Sequence, residues 1–273
     1  MRGERLIRIG LRLTRSTAYL RRNWPVTLAV GAIFRDEARY LSEWIGFHLR
    51  QGVERFYLYE NNSNDDWEAA LAPFSDVVEL RHWPDHPGQF SAYSDCLQRH
   101  RKDTRWIAFI DVDEFLFSPT GRSLPDVLSR FSRVPAVVAN WRIYGTNGHE
   151  VPPEGPVIDN YPIPEPDHDP VNLHVKSIVF PSMTSTLVQN PHSFRYYARA
   201  VGEDETPVSG CLREPPTADL LRVNHYITRS RQEWAAKLRR PQVAAQLGEG
   251  KSLTGTGKYW GHEGSALMKS ENR

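Results

Sequence analysis

From Val26 onward, apolar and polar positions run in blocks whose period changes along the chain. Val26 to Phe34 (VTLAVGAIF) is nearly continuous apolar sequence, as expected of a strand buried on both faces. Arg35, Asp36 and Glu37 interrupt it, and then Leu41, Trp44, Ile45, His48 and Leu49 recur at helical spacing. Asp36 suits the N-cap of that helix, and Gly52 suits its end. Phe56 to Tyr59 predicts a second strand, followed by a cluster of turn formers, Asn61 to Asp65. Asp76 to Leu80 predicts a short third strand. Phe90, Tyr93 and Leu97 mark one face of a further helix. Trp106 to Ile110 predicts a fourth buried strand that runs directly into Asp111-Val112-Asp113-Glu114.

Strands alternating with helices predict an α/β fold: a doubly wound, mostly parallel central sheet with flanking helices. Ligands bind such sheets beyond the carboxyl ends of the strands. Three polar clusters fall there, namely Arg35 to Glu37, Asn61 to Asp65 and Asp111 to Glu114, so sequence-distant polar groups converge on one edge. Beyond Leu124 the pattern loosens. Val137 to Trp141, Val175 to Phe180, Thr186 to Val188 and Leu220 to Tyr226 read as strands, and Gln232 to Arg239 as a helix. Gly145 to Asp169 is a Pro- and Gly-rich loop. The expected organisation is a basic arm over 1–25, one domain over 26–240 with an irregular acceptor-side region, and a flexible tail over 241–273.

Composition narrows the function. The 273 residues carry a net charge of +1, and 40% are hydrophobic, which suits a folded domain and argues against a global basic surface for nucleic acid. No apolar run approaches the roughly 20 residues of a membrane-spanning helix. Two cysteines, Cys96 and Cys211, give neither a zinc framework nor a disulfide scaffold, so a cytoplasmic setting is expected. The charge is unevenly spread: residues 1–25 hold seven arginines against Glu4, a local +6 that leaves −5 for the rest. Leu6, Ile9, Leu13 and Leu20 form a partial apolar stripe between the arginines. Two readings fit: a basic amphipathic helix on an anionic membrane surface, and a solvated helix packed on the domain.

Asp111 and Asp113 carry the chemistry. Two carboxylates one residue apart are hard, anionic and oxygen-rich, and suit a divalent cation bridging a diphosphate. Their setting between Trp106–Ile110 and Phe115–Phe117 makes them expensive to bury unless a metal or hydrogen bonds compensate.

Several ordered motifs resemble glycosyltransferase family 92 and its bacterial family-2-like relatives. They are Arg35-Asp36-Glu37 with Tyr40-Leu41 and Glu43-Trp44-Ile45, His48, Gly52-Val53, and Tyr59 through Asp65. Trp106 through Phe115 is similar to the metal-binding segment, and Trp141, Gly145 and Gly148 match a W-x-x-x-G-x-x-G pattern. Lys176 to Val179, Pro191-His192, and Asn224-His225-Tyr226 with Ser230 and Lys237 complete a resemblance over roughly 26–240.

The resemblance implies a GT-A fold, a nucleotide-sugar donor, a glycan or lipid-linked acceptor, a divalent metal and inversion at the anomeric carbon. It implies donor contacts from Arg35, Asp36, Glu37, Asn61, Asp65 and Asp111, and metal ligation by Asp111, Asp113 and His225, an imidazole favouring Mn²⁺ over Mg²⁺. Asn61 stands where relatives usually carry an aspartate that reads uracil. Gln89 and Asp95 lie on a helix beside the donor. Lys176 could neutralise the leaving diphosphate, and His192 could bind acceptor or act as base. Trp141, Tyr144 and His149 could contact the acceptor sugar. His149, Glu150, His192, Glu203, Asp204 and Glu205 are all candidate bases, and spacing does not select among them. Two other readings stand beside this one. A non-catalytic carbohydrate-binding or scaffold protein could keep the fold, and a nucleotidyltransferase would usually show a Gly-rich loop where Arg35-Asp36-Glu37 stands.

Overall fold

The computed structural model describes residues 24–239. Apart from Trp24 and Pro25, the basic arm lies outside the described residues, as does the tail beyond 240, so the readings placed on them stay expectations.

Strand β1 (Val26–Phe34) is flanked in parallel by β2 (Arg55–Glu60) and β4 (Thr104–Phe109), with β3 (Val78–His82) parallel to β2 at the edge. The side-chain period of two explains the unbroken apolar run of β1. Leu28, Val30, Ala32 and Phe34 pack on one face with Leu41, Trp44 and Ile45 of helix α1 (Ala38–Arg50). On the opposite face, Ala29, Tyr57, Tyr59, Ile107 and Phe109 pack against Ala92, Tyr93, Cys96 and Leu97. Those last four belong to the helix after β3 and the short helix α2 (Trp67–Leu71), namely α3 (Gln89–His100). Gly31 sits where α3 and β4 press closest: an added Cβ would lie 2.8 Å from the Phe109 ring and 3.3 Å from Cys96 Sγ.

The expected doubly wound layering is present, with parallel pairing concentrated in β3-β2-β1-β4. Beyond β4 the ten-stranded sheet is mixed. Strand β7 (Val175–Val179) runs antiparallel to both β4 and β6 (Ala136–Ile143). Strand β10 (Arg222–His225) lies parallel to β6 and antiparallel to β5 (Glu114–Phe117). Short β8 (Ala200–Val201) and β9 (Pro207–Val208) branch from β6. Thr186 to Val188 is not a strand: Leu187 stands 56% exposed and the segment forms no ladder. The remaining helices are α4 (Leu124–Leu128), α5 (Val157–Asn160) and α6 (Arg231–Leu238). Ser230 and Glu233 close a full capping box at the start of α6, satisfying two otherwise orphan amides.

Helix α1 also clamps β5. Trp44 Nε1 donates to the Glu114 carbonyl at 2.7 Å, and His48 Nε2 accepts from Leu116 N at 3.0 Å. His48 is fully buried, and burial pushes its pKa down to about 3 despite its Nδ1 bond to Trp44 O. The unfolded value is near 6.5, so the unfolded chain binds the extra proton first on acidification. The stability His48 contributes is therefore complete above about pH 6.5 and is lost as pH falls toward 3, at up to about 1.4 kcal/mol per pH unit. Thermal unfolding of His48→Gln between about pH 7 and 4 should show a shallower acid decline than wild type; superimposable slopes would refute this account.

Candidate functional site

The register brings the carboxyl ends of the parallel strands to one edge. Phe34 pairs with Glu60, and Gly31 with Phe109, so the loops after β1, β2 and β4 meet. Two of these turns place non-glycine residues at positive φ, Asp36 and Asn62, both at +56°, a region Asp and Asn tolerate best. The loops are laced together. Asp36 N donates to Ser63 Oγ at 3.0 Å, Asn64 N to Asp36 Oδ1 at 2.7 Å, and Ala38 N to Asp65 Oδ2 at 2.7 Å. Asp36 is thus not the cap of α1: Glu37 occupies that position without capping it, and Asp65 reaches across to take the amide.

An open cleft of about 340 Å³ lies over this edge. Its walls include Arg35, Glu37, Asn61, Gln89, Asp111, Asp113, Trp141, His192, His225 and Lys237, so residues from the whole length of the domain converge. A second cavity of about 530 Å³ adjoins it through Arg35, Glu37, Asp113, Ile227 and Lys237, and adds Tyr40, Arg229 and Glu233.

The two aspartates have different surroundings. Asp111 Oδ2 meets Lys176 Nζ at 2.7 Å, and Oδ1 accepts from Gln89 Nε2 at 3.1 Å. Asp113 Oδ2 meets Lys237 Nζ at 2.6 Å, while Oδ1 lies 3.5 Å from His225 Nε2. Burial pushes the Asp113 carboxyl up, but Lys237, His225 and Arg229 more than offset it and hold it well below the ordinary range. Neighbouring Glu114 is pushed the other way, to about 7, by complete burial, with Lys176 offsetting part of the effect. A cation arriving beside it would favour its ionised form.

Asn61 is fixed by backbone. Its Nδ2 donates to Trp83 O at 2.5 Å and Asp85 O at 3.0 Å, so both amide hydrogens are spent. Two carbonyl neighbours determine which end of the carboxamide is nitrogen, leaving Oδ1, an acceptor, for the cleft.

Other expected residues lie elsewhere. Lys176 is buried, 1% exposed, held by Asp111 and by Glu114 at 3.1 Å; it is enclosed beneath the cleft and is not among the residues that line it. Asp65 holds α1, and Asp95 binds Tyr59 and Arg99, so neither lines the cleft. Tyr144 is buried against Tyr226, and His149 bonds Asn160 O, both away from the two cavities. Among the candidate bases, Glu150 pairs with Arg231, Glu203 accepts three backbone amides, Asp204 pairs with Arg213, and Glu205 is exposed at a turn of positive φ. His192 does line the cleft. Its Nδ1 bonds Val175 O at 3.1 Å, and burial followed by the Lys176 charge pushes its pKa down to about 3. A neutral imidazole so held is a poor proton acceptor, against the expectation that it serves as base.

Sequence reasoning gave no role to Glu114, Arg229 or Lys237. Arg229 stacks 3.6 Å over the Tyr40 ring and bonds Glu37 at 2.8 Å; Lys237 reaches Asp113 from α6. Glu114, adjoining the aspartates, and Lys237, among the motif residues of the resemblance, carried a signal; Arg229 carried none.

A Ricinus communis protein named as a glycosyltransferase family 92 protein is 32% identical over 187 residues, 64% of this chain and 32% of its own length. The galactan beta-1,4-galactosyltransferase GALS2 of Arabidopsis thaliana is 28% identical over 100 residues, 32% of this chain and 19% of its own. The chain thus spans about a third or less of these relatives. Among solved structures, S. aureus TarS is 14% identical with a TM-score of 0.38, over 57% of this chain and 29% of its own. Glucosyl-3-phosphoglycerate synthase from Mycobacterium tuberculosis, in complex with Mn²⁺, UDP and glucosyl-3-phosphoglycerate, is 20% identical with a TM-score of 0.33, over 43% of this chain and 44% of its own. The family model of glycosyltransferase family 92 matches residues 25–210, which takes in the parallel strands, both aspartates and the cleft from Arg35 to His192. The chain belongs to glycosyltransferase family 92.

Proposed function

We propose that this chain transfers a sugar from a uridine diphosphate sugar to a glycan or lipid-linked hydroxyl, with a divalent cation at Asp113 and His225. The observation that carries the reading is the convergence of Asn61, Gln89, Asp111, Asp113 and His225 on one cleft at the carboxyl ends of parallel strands.

Asn61 supports the base. An acceptor-only carboxamide suits a ring N–H such as uracil N3–H and opposes cytosine, whose N3 is itself an acceptor. For the cation, Asp113 Oδ1 and His225 Nε2 lie 3.5 Å apart and offer two adjacent ligands. Among the described residues no group of three or more His, Cys, Asp or Glu is placed to hold a metal, and Asp111, expected as a third ligand, is engaged by Lys176 and Gln89. Two protein ligands suffice for a cation that also binds diphosphate oxygens and water. Such a cation neutralises the charge that builds on the diphosphate as the sugar bond breaks. The imidazole favours Mn²⁺.

Inversion fits the electrostatics. The carboxylates lining the cleft, Glu37, Asp111 and Asp113, each bond a cationic side chain, Arg229, Lys176 and Lys237 respectively. Carboxylates tied in this way are weak nucleophiles, which favours a single displacement by the acceptor hydroxyl. His192 and Trp141 offer a hydrogen-bonding ring and an apolar surface for a sugar.

The test is thermal unfolding with UDP, CDP, GDP and ADP, with and without Mn²⁺, followed by UDP release from UDP-sugars. UDP with Mn²⁺ at about 100 times its Kd should stabilise by about 2.7 kcal/mol, raising Tm by several degrees, with CDP much weaker. Asn61→Ala should weaken UDP binding about tenfold or more. No response to any nucleotide would overturn the reading.

A further inference from the structure

Glu114 joins both halves of the cation site. It opens β5 directly opposite His225 in the antiparallel ladder with β10, and its side chain is completely buried. Its Oε2 accepts from Asp111 N at 2.8 Å and meets Lys176 Nζ at 3.1 Å, the same ammonium that holds the Asp111 carboxylate. Its Oε1 lies 3.7 Å from His225 Nδ1. Both of these atoms are buried and have no hydrogen-bond partner. Leaving two buried polar atoms unpaired is costly, and each is the nearest complementary group for the other.

We propose that Glu114 is a positioning residue, whose Oε1 takes the Nδ1 hydrogen of His225 and so presents the His225 Nε2 lone pair beside Asp113. The gap needs to close by only about 0.7 Å to reach an ordinary N–H···O bond. The opposite tautomer would set the Nδ1 lone pair against a carboxylate oxygen; its Nε2 hydrogen would face Asp113 Oδ1 at 3.5 Å, a competing contact that a cation held between those two atoms replaces. A carboxylate behind a ligating imidazole fixes both its tautomer and its ring orientation. Through Oε2 the same residue ties the backbone of Asp111, so one buried side chain sets the strand-end turn and the histidine from β10 in register.

This inference rests on the cation reading above, and the experiment separates the two. Mn²⁺ affinity is measured by electron paramagnetic resonance for wild type, Glu114→Gln, His225→Ala and the double variant, each first checked for cooperative unfolding. Glu114→Gln should weaken Mn²⁺ binding 10–100-fold in the wild-type background and add little once His225 is gone, because the effect runs through the imidazole. Equal losses in both backgrounds, or none in either, would overturn the proposal. In metal-free protein, ¹⁵N NMR should find His225 protonated at Nδ1 in wild type, with that preference lost in Glu114→Gln. Protonation at Nε2 in the wild type would overturn the proposal even if Mn²⁺ binds. Failure of wild type to bind Mn²⁺ would overturn the cation reading alone, and the NMR result would then decide the role of Glu114.

Discussion

Replacing Asp113 by Asn should lower kcat/KM for sugar transfer by about 10³-fold or more while leaving the fold standing. On the proposed reading a cation there stabilises the leaving diphosphate, and losing it would be worth several kcal/mol of barrier, each 1.36 kcal/mol being tenfold. Asp113 is the shared wall of both cavities and stands between Lys237 and His225. Asn keeps the side chain's volume but removes the charge that would hold a cation. Its backbone carbonyl still accepts from Tyr226 N, so the β5–β10 connection is preserved. Lys237 is 29% exposed and can turn to water once its partner is neutral, which keeps the stability loss small. The carboxyl is held well below the ordinary range, so it is ionised at any common assay pH. The deficit should accordingly be the same at about pH 6 and pH 8. Activity within tenfold of wild type would remove Asp113 from the centre of the reaction, and a Tm drop beyond a few degrees would make the loss structural.

The parts of this site that could be read from sequence share one physical property. Where a strand is buried on both faces, as in β1 and β4, the apolar run is unbroken and ends abruptly in polar residues. Arg35, Asn61, Asp111 and Asp113 fall at such endings, and they reach the cleft. The same endings also produced Asp65, because an acidic residue near a strand end serves equally well to hold a helix amide, and Asp95, expected from its helix beside the donor, holds a tyrosine hydroxyl instead. Edge strand β3, only partly buried along its length, carried a weaker pattern, and its expected start was two residues early. Strand β5 has four residues and begins with a buried glutamate, so no periodicity announced it. The contacts from Arg229 to Glu37 and from Lys237 to Asp113 span more than a hundred residues and depend on where α6 docks. No local spacing encodes that docking, although the capping box that starts α6 was present in the sequence as Ser230 and Glu233. Lys176 failed for a different reason. At the start of an apolar strand a lysine reads as a residue reaching outward, and only the positions of Asp111 and Glu114 show why it turns in.

That inward turn gives the largest expected effect on stability. Lys176→Met should cost about 3 kcal/mol or more, because it removes the buried cation between Glu114, which is completely buried, and Asp111, which opens on the cleft. Lys176 is 1% exposed, with Nζ 2.7 Å from Asp111 and 3.1 Å from Glu114, so water cannot replace the lost charge at Glu114, whereas Asp111, 33% exposed, keeps some contact with the cleft. At roughly 2–4 °C per kcal/mol for a domain of this size, Tm should fall by about 10 °C. The sign of the pH dependence follows from the charges. Burial alone would lower the Lys176 pKa, but Asp111 and Glu114 together raise it above the ordinary range. The stability it supplies is thus fully present below about pH 10.4 and is lost only as pH rises beyond that. In the Met variant Glu114, which burial already pushes up to about 7, loses the offset from Lys176, so the cost of ionising it beside Asp111 should be greatest at about pH 8 and shrink as acid protonates the pair toward pH 4. Thermal unfolding of both proteins across that range gives the comparison. A Tm within about 2 °C of wild type at pH 8, or a gap that widens on acidification, would show that Lys176 does not hold the two carboxylates together. A gap that narrows with acid would identify the ammonium beneath the cleft as what lets buried Glu114 open β5 beside Asp111.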